Sequence, residues 1–285
     1  MTGFSYMSAI NPIRFFDYEK VPKDWYAQKF ADVDDTFIQI ITDNSTFSLK
    51  VIDGKGIDRT VAGSIKQLEP VEIGDMIFIT FAIKFVGYNG GYQFVLTEIQ
   101  AGSERVYYSM PFCVGSQYRD LMKLHYRNQF KDGDVVYKTE PDGEGIDIFS
   151  LRVEGGFEEK NYIPKSNDTI YMKGDYKYHL LHSLVYYTRQ LTVGDTFGIA
   201  DELFHTINHI FGCDTVFIDF SSFTKFEGAQ WSFSEVEHYP LRTWQIELAP
   251  TNKILDRADI CNSLFCTGYL HPDHYLFNDS FIKIF

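Results

Sequence analysis

From Thr36 onward the chain alternates apolar and polar residues in short runs. Thr36–Thr42 and Thr46–Ile52 are β-branched and aromatic, and Asp43-Asn44-Ser45 between them is a cluster of turn formers. Met76–Phe85 and Gly91–Ile99 flank Gly87-Tyr88-Asn89-Gly90, where Asn-Gly tolerates the positive φ of a tight hairpin. Arg105–Val114 supplies one more strand. Short strands at this spacing, with no helical period, predict a β-sandwich over residues 31–116.

A second β series follows. Strands are expected near Met122–Asn128, Asp134–Lys138, Ile146–Glu154, Thr169–Lys173, Tyr178–Tyr187 and Arg189–Val193. A helix is expected over 200–211, opened by Asp201 or Ala200. Leu203, Ile207 and Ile210 fall at i, i+4 and i+7, and Gly212 suits a left-handed position just past the end. Thr215–Phe220, Ala229–Glu235 and Thr243–Leu248 read as strands. The pattern predicts a second antiparallel β domain, 117–255, with one flanking helix. It meets the first near Gly115–Asp120, where the turn-prone Gly115-Ser116-Gln117 follows the strand ending at Val114.

Neither end of the chain has a clean period. Residues 1–30 scatter Phe15, Phe16, Tyr18, Trp25, Tyr26 and Phe30 among charges, Pro12 and Pro22, which suggests an N-terminal arm or edge segment. Residues 256–285 carry Phe265, Tyr269, Tyr275, Phe277, Phe281 and Phe285. This tail is too aromatic for a solvated linker, so it is expected to pack on its own domain or on a neighbour.

Composition narrows the function classes. Aromatics are 17% of the chain, with 26 Phe and 19 Tyr. They suit half-buried strands and interfaces alike. A net charge of −13 with no basic run argues against a nucleic-acid partner and an anionic membrane surface. Met1–Arg14 lacks the basic and apolar regions of a signal peptide, and no run approaches a membrane span. Synthesis in a cytoplasm with reduced thiols is therefore expected. Cys113 and Cys213 read as small core residues. Cys261 and Cys266 are spaced wider than common zinc knuckles and lack a second pair.

The candidate chemistry is incomplete everywhere. Glu202, His205 and His209 share a helical face, but Glu202 lies outside the histidine pair, where a zincin needs it between the ligands. Glu140-Pro-Asp142-Gly-Glu144-Gly145 starts like a calcium loop, yet position 12 is Leu151 rather than a glutamate. His271 and His274 sit in a loop without further ligands. Nucleophile elbows, phosphate-binding loops and dinucleotide fingerprints are all missing. The residues point to a non-enzyme with no catalytic, cofactor or metal site.

Several phrases carry a resemblance: Phe37-Ile-Gln-Ile40, Tyr107-Tyr-Ser-Met-Pro-Phe-Cys-Val114, Leu121-Met-Lys-Leu-His-Tyr-Arg-Asn128, Asp168-Thr-Ile-Tyr171 and Tyr239-Pro-Leu-Arg-Thr-Trp244. Together, over roughly residues 10–250, they resemble uncharacterised virion structural proteins of tailed phages and prophages of Bacteroidetes bacteria. The second half is similar in outline to tail-tube-like modules, antiparallel sheets with one flanking helix that assemble into rings. The resemblance implies a tail-tip, distal-tail or baseplate subunit, assembled in the host cytoplasm. Its partners would be copies of itself, neighbouring tail proteins and a host-surface glycan. A different class, a carbohydrate-binding β-sandwich for adhesion, would require aromatics lined along one concave sheet.

Overall fold

The computed structural model describes residues 5–21, 26–43, 45–100, 102–127, 149–174, 176–213, 215–235 and 240–251. Among them the chain is mainly β, with one α-helix. The strands are β1 (Ser5–Met7), β2 (Phe15–Phe16), β3 (Gln28–Phe30), β4 (Asp35–Thr42), β5 (Thr46–Asp53), β6 (Ile65–Gln67) and β7 (Val71–Ile73). Next come β8 (Met76–Lys84), β9 (Gly90–Gln100), β10 (Ser103–Ser109), β11 (Phe112–Val114), β12 (Met122–Arg127) and β13 (Phe149–Val153). After β14 (Gly155–Met172) and β15 (Tyr178–Val193) comes α1 (Asp201–Ile210). The last strands are β16 (Thr215–Ile218), β17 (Ser221–Lys225), β18 (Ser232–Glu235) and β19 (Arg242–Pro250). The smaller sheet runs β1-β4-β8-β6, with β7 also on β8. The larger runs β14-β15-β19-β17-β16-β12-β13-β3-β11-β9-β10-β2, with β5 on β9 and β18 on β19.

Alternation explains the first core. In β5, Phe47, Leu49 and Val51 are buried while Thr46, Ser48 and Lys50 face water. These join Ile38 and Ile40 of β4, Phe81 and Ile83 of β8, and Phe94 of β9 in one apolar cluster. Phe30 stacks on Phe85 with ring centroids 4.2 Å apart, and Phe94 stacks on Phe112 at 4.5 Å. Each buried ring contributes about 1.5–3 kcal/mol.

The connections into this core differ from the expected hairpins. β8 and β9 do not pair, because β8 belongs to the smaller sheet and β9 to the larger. The chain crosses between them at 85–89, anchored by buried Phe85 and Tyr88. The Tyr88 hydroxyl meets Ser64 Oγ at 2.7 Å and accepts from the Val61 N–H. The turn after β4 crosses between sheets in the same way. The expected strand Arg105–Val114 is two strands, interrupted at Met110-Pro111.

The second core takes the apolar face of α1, Leu203, Phe204, Ile207 and Ile210, against β12, β13, β15, β16 and β19. The helix does not end in the expected left-handed glycine, since Gly212 has no positive φ. Its last turn tightens instead, with Gly212 N–H donating to His209 O and Cys213 N–H to Ile210 O. The expected strand Thr215–Phe220 stops at Ile218, where Asp219 and Phe220 turn the chain back into β17. Cys113 and Cys213 are half-buried, and Cys213 packs against the second core.

The described part of 1–30 packs on its own chain. β1 lines β4, β2 lines β10, and Ile10, Ile13, Tyr26 and Phe30 are buried. β3 lies inside the larger sheet, parallel to β11 on one side and bridged to β13 on the other through Lys29 and Arg152. The larger sheet runs continuously between the two halves, and the second core also takes Ile10, Tyr26 and Met110 from the first. The expected strand Asp134–Lys138, the acidic loop Glu140–Gly145, and the tail with Cys261, Cys266, His271 and His274 lie outside the described residues.

A buried polar seam fastens the two cores at β3. Arg152 grips Asp34 with Nε to Oδ2 at 2.6 Å and Nη2 to Oδ1 at 3.0 Å, and its Nη1 donates to the carbonyls of Arg119 and Leu121. Lys123 Nζ lies 3.0 Å from Asp34 Oδ1, and the Ala31 N–H donates to Oδ2. Beside them Glu154 pairs with Lys29 and accepts from Tyr26 OH at 2.9 Å. Burial alone would raise the Asp34 carboxyl, but Arg152, the Ala31 N–H and Lys123 outweigh it and hold it below its ordinary range.

Removing one partner of such a pair leaves a buried charge uncompensated. Asp34→Ala should cost about 3–5 kcal/mol in urea unfolding at pH 7. Because the folded carboxyl titrates low, its contribution is present at neutral pH and lost as pH falls through the folded value, below about pH 4. Wild-type stability should therefore fall more steeply than that of Asp34→Asn over that interval.

Candidate functional site

One cleft of the body is built around a buried carboxylate whose partners all come from the chain itself. A cavity of about 340 Å³ is lined by Ser5, Met7, Asn11, Phe15, Glu98 and Tyr107, among others. Glu98 is only 2% exposed and accepts from Ser5 Oγ at 2.6 Å, Ser45 Oγ at 3.0 Å and Tyr107 OH at 3.0 Å. Burial would raise this carboxyl, but the three hydroxyls keep it below its usual range. A carboxylate so held is a poor proton acceptor near neutrality, and its work is to clasp β1 to the larger sheet.

The helical face singled out by sequence is equally spare. His205 and His209 are exposed on α1 and Glu202 is half-buried. Among the described residues no three His, Cys, Asp or Glu side chains are placed to hold an ion together. No helix among them is long and apolar enough to cross a membrane.

The outlying feature is the hairpin β14–β15. Its root is built on the body. Lys165 Nζ pairs with Glu247 at 2.8 Å and covers the Phe226 ring, the Thr188 hydroxyl also donates to Glu247, and Arg189 lies 4.1 Å over the Phe157 ring. Gly155 sets the departure from β13, since at its φ of +126° a Cβ would come within 2.1 Å of Thr192 O. Beyond the root, among the described residues, β15 pairs with β14 alone, because its pairing with β19 stops at Arg189–Leu248. Every described residue from Ser166 to Val185 is exposed. At about 3.3 Å per residue the free ribbon extends roughly 20 Å.

Its surface is apolar. Cross-strand partners share a face, so Tyr187, Val185, Ile170 with Leu180, and Met172 with Tyr178 form a stripe opposite the face that carries Lys165 and Tyr186. These six large residues are 41–74% exposed. The stripe is broken once, where Asp168 accepts from Ser166 and Ser183. At the tip Tyr176 sits in the left-handed region at φ 61° and is 81% exposed. Phe220, in the β16–β17 turn, repeats the pattern at φ 72° and 87% exposure.

The sequence pattern placed strands at Thr169–Lys173, Tyr178–Tyr187 and Arg189–Val193 but missed that the last two are one strand, paired beyond its root, among the described residues, with β14 alone. The missing signal was β19, which is too short to accompany β15 outward. Comparison with protein-family models, curated proteins and solved structures found no match.

Two stability measurements check this division between body and arm. Ile170→Ser with Leu180→Ser should leave the unfolding free energy within about 0.5 kcal/mol of wild type, since neither side chain is buried in the chain. Phe220→Gly should stabilise the fold by several tenths of a kcal/mol or more, as glycine occupies the left-handed turn without strain.

Proposed function

We propose that the protein is a non-enzymatic structural subunit of a phage tail, in a tail-tip, distal-tail or baseplate ring. On this reading the first half is a β-sandwich and the second a tail-tube-like domain. The observation that carries the proposal is the exposed apolar hairpin β14–β15, which among the described residues pairs with the rest of the chain only at its root. A lone two-stranded ribbon is marginally stable in water, and an exposed apolar face of this extent marks a docking surface. Ile170, Leu180, Leu181, Leu184 and Val185 give the ribbon an aliphatic character that suits protein contacts better than sugar stacking. Copies joined by unlike faces close into a ring when the rotation between them closes.

Native mass spectrometry of the full chain tests the proposal, which expects one closed oligomer of fixed copy number. A chain that stays monomeric up to about 100 μM, far above the range of stable assemblies, would defeat it.

A further inference from the structure

Two neighbouring strands of the larger sheet bring a primary amine and a carboxyl into one enclosed space. Lys29 of β3 stands opposite Arg152 of β13, and Glu154 follows two residues later, within diagonal reach of a long side chain. Lys29 Nζ lies against Glu154 Oε1, and no hydrogen bond reaches that oxygen from another group among the described residues. The second oxygen, Oε2, accepts from Tyr26 OH at 2.9 Å. Glu154 and Tyr26 are buried, and Lys29 is half-buried with its Nζ 5.3 Å from the centre of the Tyr26 ring.

The nearby Asp34 provides a contrast. It too meets an amine, that of Lys123, but Arg152 and the Ala31 N–H hold it ionised, and a carboxylate anion resists attack by an amine. Glu154 is met instead by a neutral phenol and the Lys29 amine. Burial holds that amine below its ordinary range against the pull of Asp195 and Cys113. Burial also raises the Tyr26 hydroxyl, with Asp195 adding to the effect, so it stays a donor at neutral pH.

We propose that Lys29 and Glu154 condense into an intramolecular amide bond that ties β3 to the start of the arm. A proton passes from the ammonium to Oε1, leaving a neutral amine against a neutral acid, an exchange that low dielectric favours. The Nζ lone pair adds to Cδ while the Tyr26 hydroxyl stabilises the charge gathering on Oε2. One proton moves from Nζ to the Oε1 hydroxyl, the Cδ–Oε1 bond breaks and water leaves by the open side of Lys29. Oε2 remains as the amide carbonyl, and no second reactant is consumed. Holding the two groups in contact is worth an effective concentration of about 10⁵–10⁸ M, which drives a condensation that free amines and acids in water do not complete. The bond closes residues 29–154 into a covalent ring, and such a cross-link stabilises by restricting the unfolded chain.

The intact mass of the denatured full-length protein tests this. Wild type should be lighter by one water than Lys29→Arg once the substitution is allowed for, because a guanidinium keeps its charge and does not acylate. Trypsin should leave the bond after Lys29 uncut and release a branched species joining the peptides that hold Lys29 and Glu154. In chains sampled at intervals after synthesis, Tyr26→Phe should slow the loss of water about tenfold or more. A wild type of full mass, with Lys29 and Glu154 in separate peptides, overturns the proposal. So does a loss of water that persists in Lys29→Arg, since it then arises elsewhere in the chain. An unchanged rate in Tyr26→Phe overturns the part assigned to the hydroxyl. Should Lys29→Arg fail to fold, the wild-type digest decides alone. The bond lies within one copy, so its absence leaves the assembly reading standing.

Discussion

The arrangement depends on a single buried ion pair, Asp34 with Arg152. The two residues lie 118 positions apart, one in the turn between β3 and β4 and the other in β13. Neither can be dry and charged without the other. Their union fixes the turn through the Ala31 N–H, holds the segment between the halves through the carbonyls of Arg119 and Leu121, and seats β3 between β11 and β13. Since β13 passes directly through Gly155 into β14, the pair also sets where the arm leaves the body.

Body and arm follow opposite rules. In the body, carboxylates such as Glu98 and Asp34 are wrapped by donors, and the rings of the two cores stack against one another. In the arm, large apolar side chains are exposed on a ribbon that, among the described residues, pairs with the body at its root alone. That contrast is the basis for reading the molecule by its surfaces rather than by a chemical centre.

Sequence reasoning succeeded where one element decides its own pattern. The β5 alternation and the i, i+4, i+7 spacing of α1 are visible residue by residue, and the structure places Phe47, Leu49, Leu203 and Ile207 in the cores. It failed where partners are distant. Asn89-Gly90 promised a hairpin, but whether flanking strands pair depends on which sheet each joins. Phe220 concealed a tight turn because an aromatic seldom takes the left-handed conformation that Asp219 and the pull of Lys123 impose there. β6 and β7 are too short to show a period. The polar seam and the free ribbon were both hidden, since each is defined by what lies across the fold. The scattered aromatics of 1–30 drew attention to the ends, whereas Tyr26 and Phe30 are buried in their own chain.

The position of β3 has a consequence for the birth of the chain. Residues 28–30 can meet β11 as soon as the first half exists, but the other flank stays open until residues 149–153 have been made. Closing a loop of that length is slow compared with local pairing. During synthesis the nascent protein therefore exposes a bare sheet edge, with Asp34 still lacking Arg152 beside it, while the residues between Val114 of β11 and Phe149 of β13 are added. The interval in which this protein is most exposed to mispairing with other nascent chains ends when Arg152 arrives.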